Sequence, residues 1–431
     1  MSPEICGLIG IIIMVLLLFS GMWIGLAMLF VGFWGVTYLS GFNGALGVLA
    51  NVPYSSVASY PLTALPLFIF MGVVLSNTGV GGDLYDTANK WIGQLRGGLA
   101  MATVAACAGF SAISGSSTAT AATMGKVALP EMKKYKYDDR LATGCAASGG
   151  TMGILIPPSL GFILYGILTE VSIGKLFMAG IIPGILQAAF YIVTIYIMCR
   201  ANIRLGPAAQ KKSTTERLIS LKNTWPIIVL FIMVIGGIYG GIFTPTEAAA
   251  IGAFGAIIIT LLYGRLKGNN FLISMFETGK ITAMIMLLII GAFVFSHFMA
   301  ISRLSFMLGD FVKSFDISKY YILVCIIFLY LILGMFLDIM SSIILTIPIF
   351  FPLILSSGFD PIWYGVIMVR VMEVGMITPP VGMNVFVLAG VTDIPLSTIF
   401  RGVIPFIVAD FFHIVLLIAV PSLSLLLPNM M

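Results

Sequence analysis

Ser148-Gly149-Gly150-Thr151-Met152-Gly153-Ile154-Leu155-Ile156-Pro157-Pro158-Ser159 cannot continue as one regular helix. Proline removes a backbone donor and steers the preceding residue away from helical geometry, and the three glycines weaken the turns before it. The segment lies inside an apolar run from 141 to 169. A membrane span is therefore expected to break there at mid-depth. Adding 222 to each position reaches a second such stretch, Glu373-Val374-Gly375-Met376-Ile377-Thr378-Pro379-Pro380-Val381-Gly382-Met383-Asn384, which breaks likewise. Without a gap, the same register takes Pro130 to Pro352, Asp138 to Asp360, Gly180 to Gly402 and Pro183 to Pro405, and Tyr137 lands on Phe359. One structural unit is used twice.

The rest of the chain agrees with a membrane setting. Of 431 residues, 60% are apolar and only 9% charged, with a mean hydropathy of +1.11, whereas soluble domains carry about a quarter charged residues. At roughly 20 apolar residues per span there is room for about a dozen spans or half-spans. The 47 glycines and 20 prolines suit helices broken where neighbouring protein satisfies the freed backbone groups. Glu4 and the lack of a basic n-region, with apolar sequence from Ile5 past Tyr38, make the first segment an expected span rather than a cleaved signal peptide. Cys6, Cys107, Cys145, Cys199 and Cys325 are isolated in apolar runs and read as small buried hydrophobes, with no disulfide framework.

Charge reports how the two copies lie. The loop 131–140 holds four basic residues and its repeat mate 353–361 holds none, so the positive-inside rule puts them on opposite faces. If segments 98–129 and 320–356 are hairpins that each enter and leave on one face, seventeen of the 22 Lys and Arg fall inside and four outside, leaving Arg370 alone within a span. Loop 200–223, with Arg200, Arg204, Lys211, Lys212, Arg217 and Lys222, is then cytoplasmic. Basic residues spread in this way are no nucleic-acid footprint. The expected fold is an all-α integral membrane protein with an inverted-topology repeat, two re-entrant helical hairpins and two broken transmembrane helices. Secondary transporters are built so, with sites at the repeat interface near the midplane.

The hairpin tips carry the polar chemistry. The first reads Ser111-Ala112-Ile113-Ser114-Gly115-Ser116-Ser117-Thr118-Ala119-Thr120. A helix cannot end in lipid without partners for its freed backbone groups, and hydroxyls plus freed carbonyls suit a hard cation such as sodium without importing fixed charge. Close helix packing by small residues is the alternative. The second tip, from Gly334 to Pro348, places Asp338 where the register puts Ser116, followed by Ser341 and Ser342. An acid inside a span marks a functional position by default. The tips and the breaks offer Ser114, Gly115, Ser116, Ser117, Gly149, Gly150, Thr151, Gly153, Asp338, Ser341, Ser342, Gly375 and Thr378 as candidate cation contacts. Half-helix ends also offer N–H groups to anions; candidate substrate contacts at the two tips and breaks are Ser116, Asp338, Pro157, Pro158, Pro379, Pro380 and Asn384. Arg303 is read either as an interfacial arginine or as an attractor for an anionic substrate. Arg370 and Glu373, three apart, read as a self-neutralised structural pair.

Other classes find little support. The Gly-Lys pairs at 125, 174 and 279 are followed by Val127, Leu176 and Ile281 instead of Ser or Thr, so no phosphate-binding loop exists and ATP is not hydrolysed here. His297 and His413 lack neighbours at zinc-ligand spacing. Ile113-Ser114-Gly115 could form a hydrolase nucleophile with His297 as base, but Ala112 stands where the leading glycine belongs.

Ser114-Gly115-Ser116-Ser117, Ile156-Pro157-Pro158-Ser159, Thr244-Pro245-Thr246-Glu247-Ala248-Ala249-Ala250 and Gly375-Met376-Ile377-Thr378-Pro379-Pro380-Val381-Gly382 together resemble the large membrane subunit of tripartite ATP-independent periplasmic (TRAP) transporters. The resemblance covers essentially the whole chain. It implies a sodium-driven importer of organic anions in the bacterial cytoplasmic membrane, with Na+ as coupling ion, an elevator-type transport domain, one sodium site between Ser114 to Ser117 and Gly149 to Gly153, and a second between Asp338 to Ser342 and Gly375 to Thr378. It also implies two partners, a small four-helix membrane subunit and a soluble periplasmic substrate-binding protein. The organisation expected is N-terminal scaffold helices in 1–60, a first repeat in 61–200 with hairpin 98–129 and broken span 141–169, a cytoplasmic loop and connecting scaffold helices in 201–280, and a second repeat in 281–431 with hairpin 320–356 and broken span 361–391. Thr244 to Ala250 would join the halves, with Glu247 structural. An arginine at 303 is similar to the sialic-acid branch, which leans the substrate toward N-acetylneuraminate over C4-dicarboxylates. A stand-alone anion exporter or antiporter of related architecture is the alternative transporter.

Overall fold

The computed structural model describes residues 2–304, 307 and 318–431, so part of the stretch 281–431 lies outside the described residues. The N-terminal helices are α1 (Pro3–Phe19), α2 (Ile24–Ser40), α3 (Phe42–Val57), α4 (Ala64–Asn77) and α5 (Val80–Ile92), with a 3-10 turn at Tyr60–Thr63. Then come α6 (Gly98–Ser114), α7 (Ser117–Lys134), α8 (Asp139–Leu155), α9 (Leu160–Thr169) and α10 (Ile173–Ala201). Three helices follow, α11 (Thr214–Tyr239), α12 (Pro245–Leu262) and α13 (Gly268–Ser302). The chain closes with α14 (Lys319–Phe336), α15 (Ile339–Ser356), α16 (Pro361–Gly375), α17 (Met383–Gly390), α18 (Leu396–Ala419) and α19 (Ser422–Asn429). No strand occurs among the described residues. Nine helical segments among them are long and apolar enough to cross a membrane.

The register read from proline, glycine and aspartate positions carries over to whole elements. Shifted by 222, α7 falls on α15 end for end, and α6, α8, α9 and α10 fall on α14, α16, α17 and α18 within a few residues. The causes of the helix starts repeat too. Asp138 caps α8 by accepting from the Arg140 amide at 2.8 Å, and Asp360 caps α16 by accepting from Ile362 and Trp363 at 2.8 and 2.9 Å. Ser116 caps α7 through the Ala119 amide, and its mate Asp338 caps α15 through the Ser341 amide. The Pro157-Pro158 and Pro379-Pro380 bonds, where both spans break, are each cis.

The copies interlock reciprocally. Helix α7 packs on α17 and α9 on α15, while α8 packs on α18 and α10 on α16. Each pair is the register image of the other, which is the pattern that a two-fold relation produces. The closest approach is at Gly144 and Gly402, where a Cβ on Gly144 would lie 2.2 Å from the Gly402 carbonyl oxygen. Helix α8 is buried from Leu141 to Leu155 and α16 from Trp363 to Gly375. A helix covered on every side needs no polar stripe, which is why neither shows an amphipathic pattern. Around this centre α2 packs on α13, and α4 on α12 and α13. Arg265, in the turn between α12 and α13, pairs with Asp83 on α5, with Nη2 3.0 Å from Oδ1. Glu247 closes a capping box at the start of α12, accepting from the Thr244 amide at 2.8 Å while Thr244 Oγ1 accepts from the Glu247 amide at 3.3 Å.

Candidate cation and substrate sites at two hairpin tips

In the first copy α6 ends on Gly115 in the left-handed region (φ 58°), and Ser116 turns extended before α7 begins. The tip is tied by its own hydroxyls, with Ser114 Oγ 2.8 Å from Thr120 Oγ1, which in turn donates to the Ser116 carbonyl at 2.8 Å. It is pressed against the broken span. A Cβ on Gly153 would stand 2.4 Å from the Ser116 carbonyl oxygen, and one on Gly115 would stand 3.0 Å from the Pro158 carbonyl oxygen. Ser117 Oγ donates to the Thr151 carbonyl at 3.3 Å. Ser114, Gly115, Ser116 and Ser117 are therefore brought together with Thr151, Gly153 and Pro158, as the sequence suggested. Gly149 packs against Cys107 on α6 and Gly150 against Ala121 on α7, the two arms of the same hairpin. Thr151 differs in one respect from a simple ligand, because its hydroxyl is already engaged by Ser148, Gln187 and Tyr191. Its carbonyl is what it can offer the tip. Thr120, absent from the candidate ligand set, adds a hydroxyl at the tip.

In the second copy the Asp338 side chain is half-buried, with Oδ2 accepting from the Ser341 amide at 3.3 Å. Ser341 is buried, and Ser342 is fully buried with its Oγ lacking a partner among the described residues. A buried oxygen left so is the kind that a bound ion completes. A Cβ on Gly375 would lie 2.6 Å from the Gly334 carbonyl carbon, so the end of α16 touches α14 backbone to backbone. The Gly382 amide donates to the Met335 carbonyl at 3.2 Å, which holds the second break against the second tip. Thr378 Oγ1 donates to the Val374 carbonyl at 2.7 Å. The prolines differ between copies: Pro157 and Pro158 are buried, Pro379 and Pro380 exposed. Asn384 crosses between copies, with Nδ2 donating to the Ala147 carbonyl on α8 at 3.3 Å.

Arg303 stands apart. It caps α13 in the left-handed region (φ 55°) and is exposed. His297 lines a cavity of about 900 Å³ between α13, the Tyr60–Thr63 turn and the turn from α9 to α10, and Ser114 is absent from its lining. Ser114 Oγ is paired with Thr120 Oγ1 and makes no hydrogen bond to His297 among the described residues, so the two form no nucleophile and base pair. The expected pair of Arg370 and Glu373 exists, with Nη1 3.2 Å from Oε2, but it is part of a larger cluster. Arg370 Nη2 also donates to Asp410, and Arg370 Nε donates to His413 Nδ1 at 3.1 Å. Asp410 and His413 escaped the sequence reading because their partner lies 40 or more positions away on another helix.

Two interlocked copies, each with a polar cluster at its hairpin tip inside a body of long apolar helices, are the architecture of a secondary transporter subunit. The family model of the "Tripartite ATP-independent periplasmic transporter, DctM component" matches residues 11–423, and the chain belongs to that family. It is 37% identical over 400 residues to the C4-dicarboxylate TRAP transporter large permease protein DctM of Pseudomonas aeruginosa, covering 90% of this chain and 93% of that one. It is 33% identical over 417 residues to the sialic acid TRAP transporter large permease protein SiaM of Vibrio cholerae, covering 96% of each. Among solved structures, the YdaH transporter of Alcanivorax borkumensis is similar with a TM-score of 0.64 at 14% identity, over 89% of this chain and 88% of that one, a likeness of fold. These relatives are transport proteins, and the chain is not an enzyme.

Proposed function

We propose that the chain is the substrate-translocating subunit of a sodium-coupled importer of organic carboxylates. The observation that carries this reading is the pair of hairpin tips in one register, each packed on its own broken span and each presenting hydroxyls and backbone carbonyls. The donor set fits sodium, which takes neutral oxygens readily and needs no fixed cage. Ser114 to Ser117 with the Thr151 carbonyl hold one ion, and Asp338, Ser341 and Ser342 beside Gly375 and Thr378 hold the second. The carboxylate binds between the tips, near Ser116 and the breaks at Pro158 and Pro379. The two hairpins enter from opposite membrane faces, and the two repeats move together as an elevator against the surrounding helices. A small four-helix membrane subunit and a soluble periplasmic binding protein complete the transporter, the latter delivering substrate from outside. Similarity to both dicarboxylate and sialic acid permeases supports the carboxylate class. The exposed position of Arg303 at the end of α13 supplies no reason to favour sialic acid.

The test is uptake by proteoliposomes that hold the chain with its small subunit, supplied with the loaded binding protein. An inward sodium gradient is expected to drive accumulation, and dissipating it with a sodium ionophore is expected to stop it. Accumulation that ignores the gradient removes the coupling.

A further inference from the structure

A continuous run of buried side chains joins the two broken spans, and nothing in the ion sites themselves requires it. It starts at Thr151 on α8, whose Oγ1 accepts from Gln187 Nε2 at 2.9 Å and lies 3.2 Å from the Tyr191 hydroxyl. Gln187 and Tyr191, one helical turn apart on α10, are themselves 3.1 Å apart. The Tyr191 hydroxyl donates to Asp410 Oδ2 on α18 at 3.0 Å, and the other oxygen of Asp410 takes Arg370 on α16. Arg370 ends the run on Glu373, two residues before Gly375. Thr151, Gln187, Tyr191, Asp410, Arg370 and Glu373 are all 0% exposed.

The register gives the run its meaning. Thr151 and Glu373 are repeat mates, and so are Tyr191 and His413, the latter paired with Arg370. Equivalent positions of the two copies thus converge where the copies interlock. One copy supplies neutral groups and the other supplies charge. In a dry interior an unpaired donor or acceptor is costly, and hydrogen bonds in series strengthen one another. A displacement of Thr151 is therefore passed along the run or breaks it, and Tyr191 is the link at which hydroxyl chemistry meets the charged half.

We propose that Tyr191 and Gln187 are positioning residues that couple the two cation sites: they fix Thr151, whose carbonyl faces the first tip, relative to the Arg370 and Glu373 segment that leads into the second. Occupancy of either site then favours occupancy of the other, by equal factors in both directions. The proposal rests on the sodium reading above.

Tyr191→Phe removes only the hydroxyl and keeps the ring, which packs edge to face on Phe406 at 5.3 Å. In proteoliposomes, the sodium concentration giving half-maximal uptake is expected to rise roughly fivefold, the equivalent of one buried hydrogen bond. The steepness of the sodium dependence is expected to fall toward a single-site curve, with the rate at saturating sodium kept. Gln187→Leu is expected to act in the same direction, and decides alone if Tyr191→Phe does not insert. A sodium dependence unchanged in position and steepness, whether or not the variant melts earlier, overturns the proposal and leaves the run a structural brace. Wild-type uptake indifferent to sodium would instead overturn the parent reading, a result that no variant is needed to see.

Discussion

Asp338→Ala is expected to cut substrate uptake roughly 100-fold or more: on the proposed reading it removes a charged cation contact from a partly desolvated site, which costs several kcal/mol, and each 1.4 kcal/mol is tenfold. Asp338 does two things in the structure, and they can be separated. Its Oδ2 caps α15 through the Ser341 amide, a contribution of about 1 kcal/mol, and its charge sits at the second tip, where the Ser342 hydroxyl has no partner among the described residues. Asparagine caps a helix as well as aspartate does but brings no charge. Asp338→Asn is therefore expected to insert and melt like the wild type while transporting as poorly as Asp338→Ala. Wild-type uptake by the asparagine variant would reduce Asp338 to a cap.

Arg370→Met is expected to destabilise the protein by about 3–5 kcal/mol, the usual cost of removing one partner from a buried ion cluster. The Arg370, Glu373 and Asp410 side chains are each at most 1% exposed, and Arg370 contacts both acids. Without the guanidinium, two carboxylates remain inside the repeat interface with no cation between them. The expected observation is a large fall in the melting temperature of detergent-purified protein and in the amount recovered from membranes. Changing all three together, Arg370→Met with Glu373→Gln and Asp410→Asn, is expected to restore much of the loss, since burying no charge avoids the desolvation cost. A single variant as stable as the wild type would show that the cluster contributes no net stability.

These two sites differ in how far the sequence disclosed them. The breaks at Pro157-Pro158 and Pro379-Pro380 were legible because proline and glycine act on the backbone locally, and the structure ends α8 at Leu155 and α16 at Gly375. The 222-residue register located elements and caps alike, since Asp138, Asp360, Ser116 and Asp338 do the same local work wherever the chain repeats. Contacts between helices were another matter. Arg370 with Glu373 is visible at a spacing of three, but Asp410 and His413 on α18 and Tyr191 on α10 reach them only through tertiary packing. The register does set Glu373 on Thr151 and His413 on Tyr191, but it sets Asp410 on Ala188 and gives no sign of that acid. Arg303 shows the opposite case: a charged residue near the end of a span carries no address, and the structure puts it, exposed, at the C-terminal cap of α13.

Sodium binding to the purified chain tests the reading of the two tips most directly. Equilibrium binding of radioactive sodium is expected to give two ions per chain. Asp338→Asn is expected to leave one. Gly153→Ala, whose added Cβ would lie 2.4 Å from the Ser116 carbonyl oxygen and so displace the first tip, is expected to leave the other. No bound sodium, or a stoichiometry that neither substitution changes, would contradict the assignment of the hairpin tips as the cation sites.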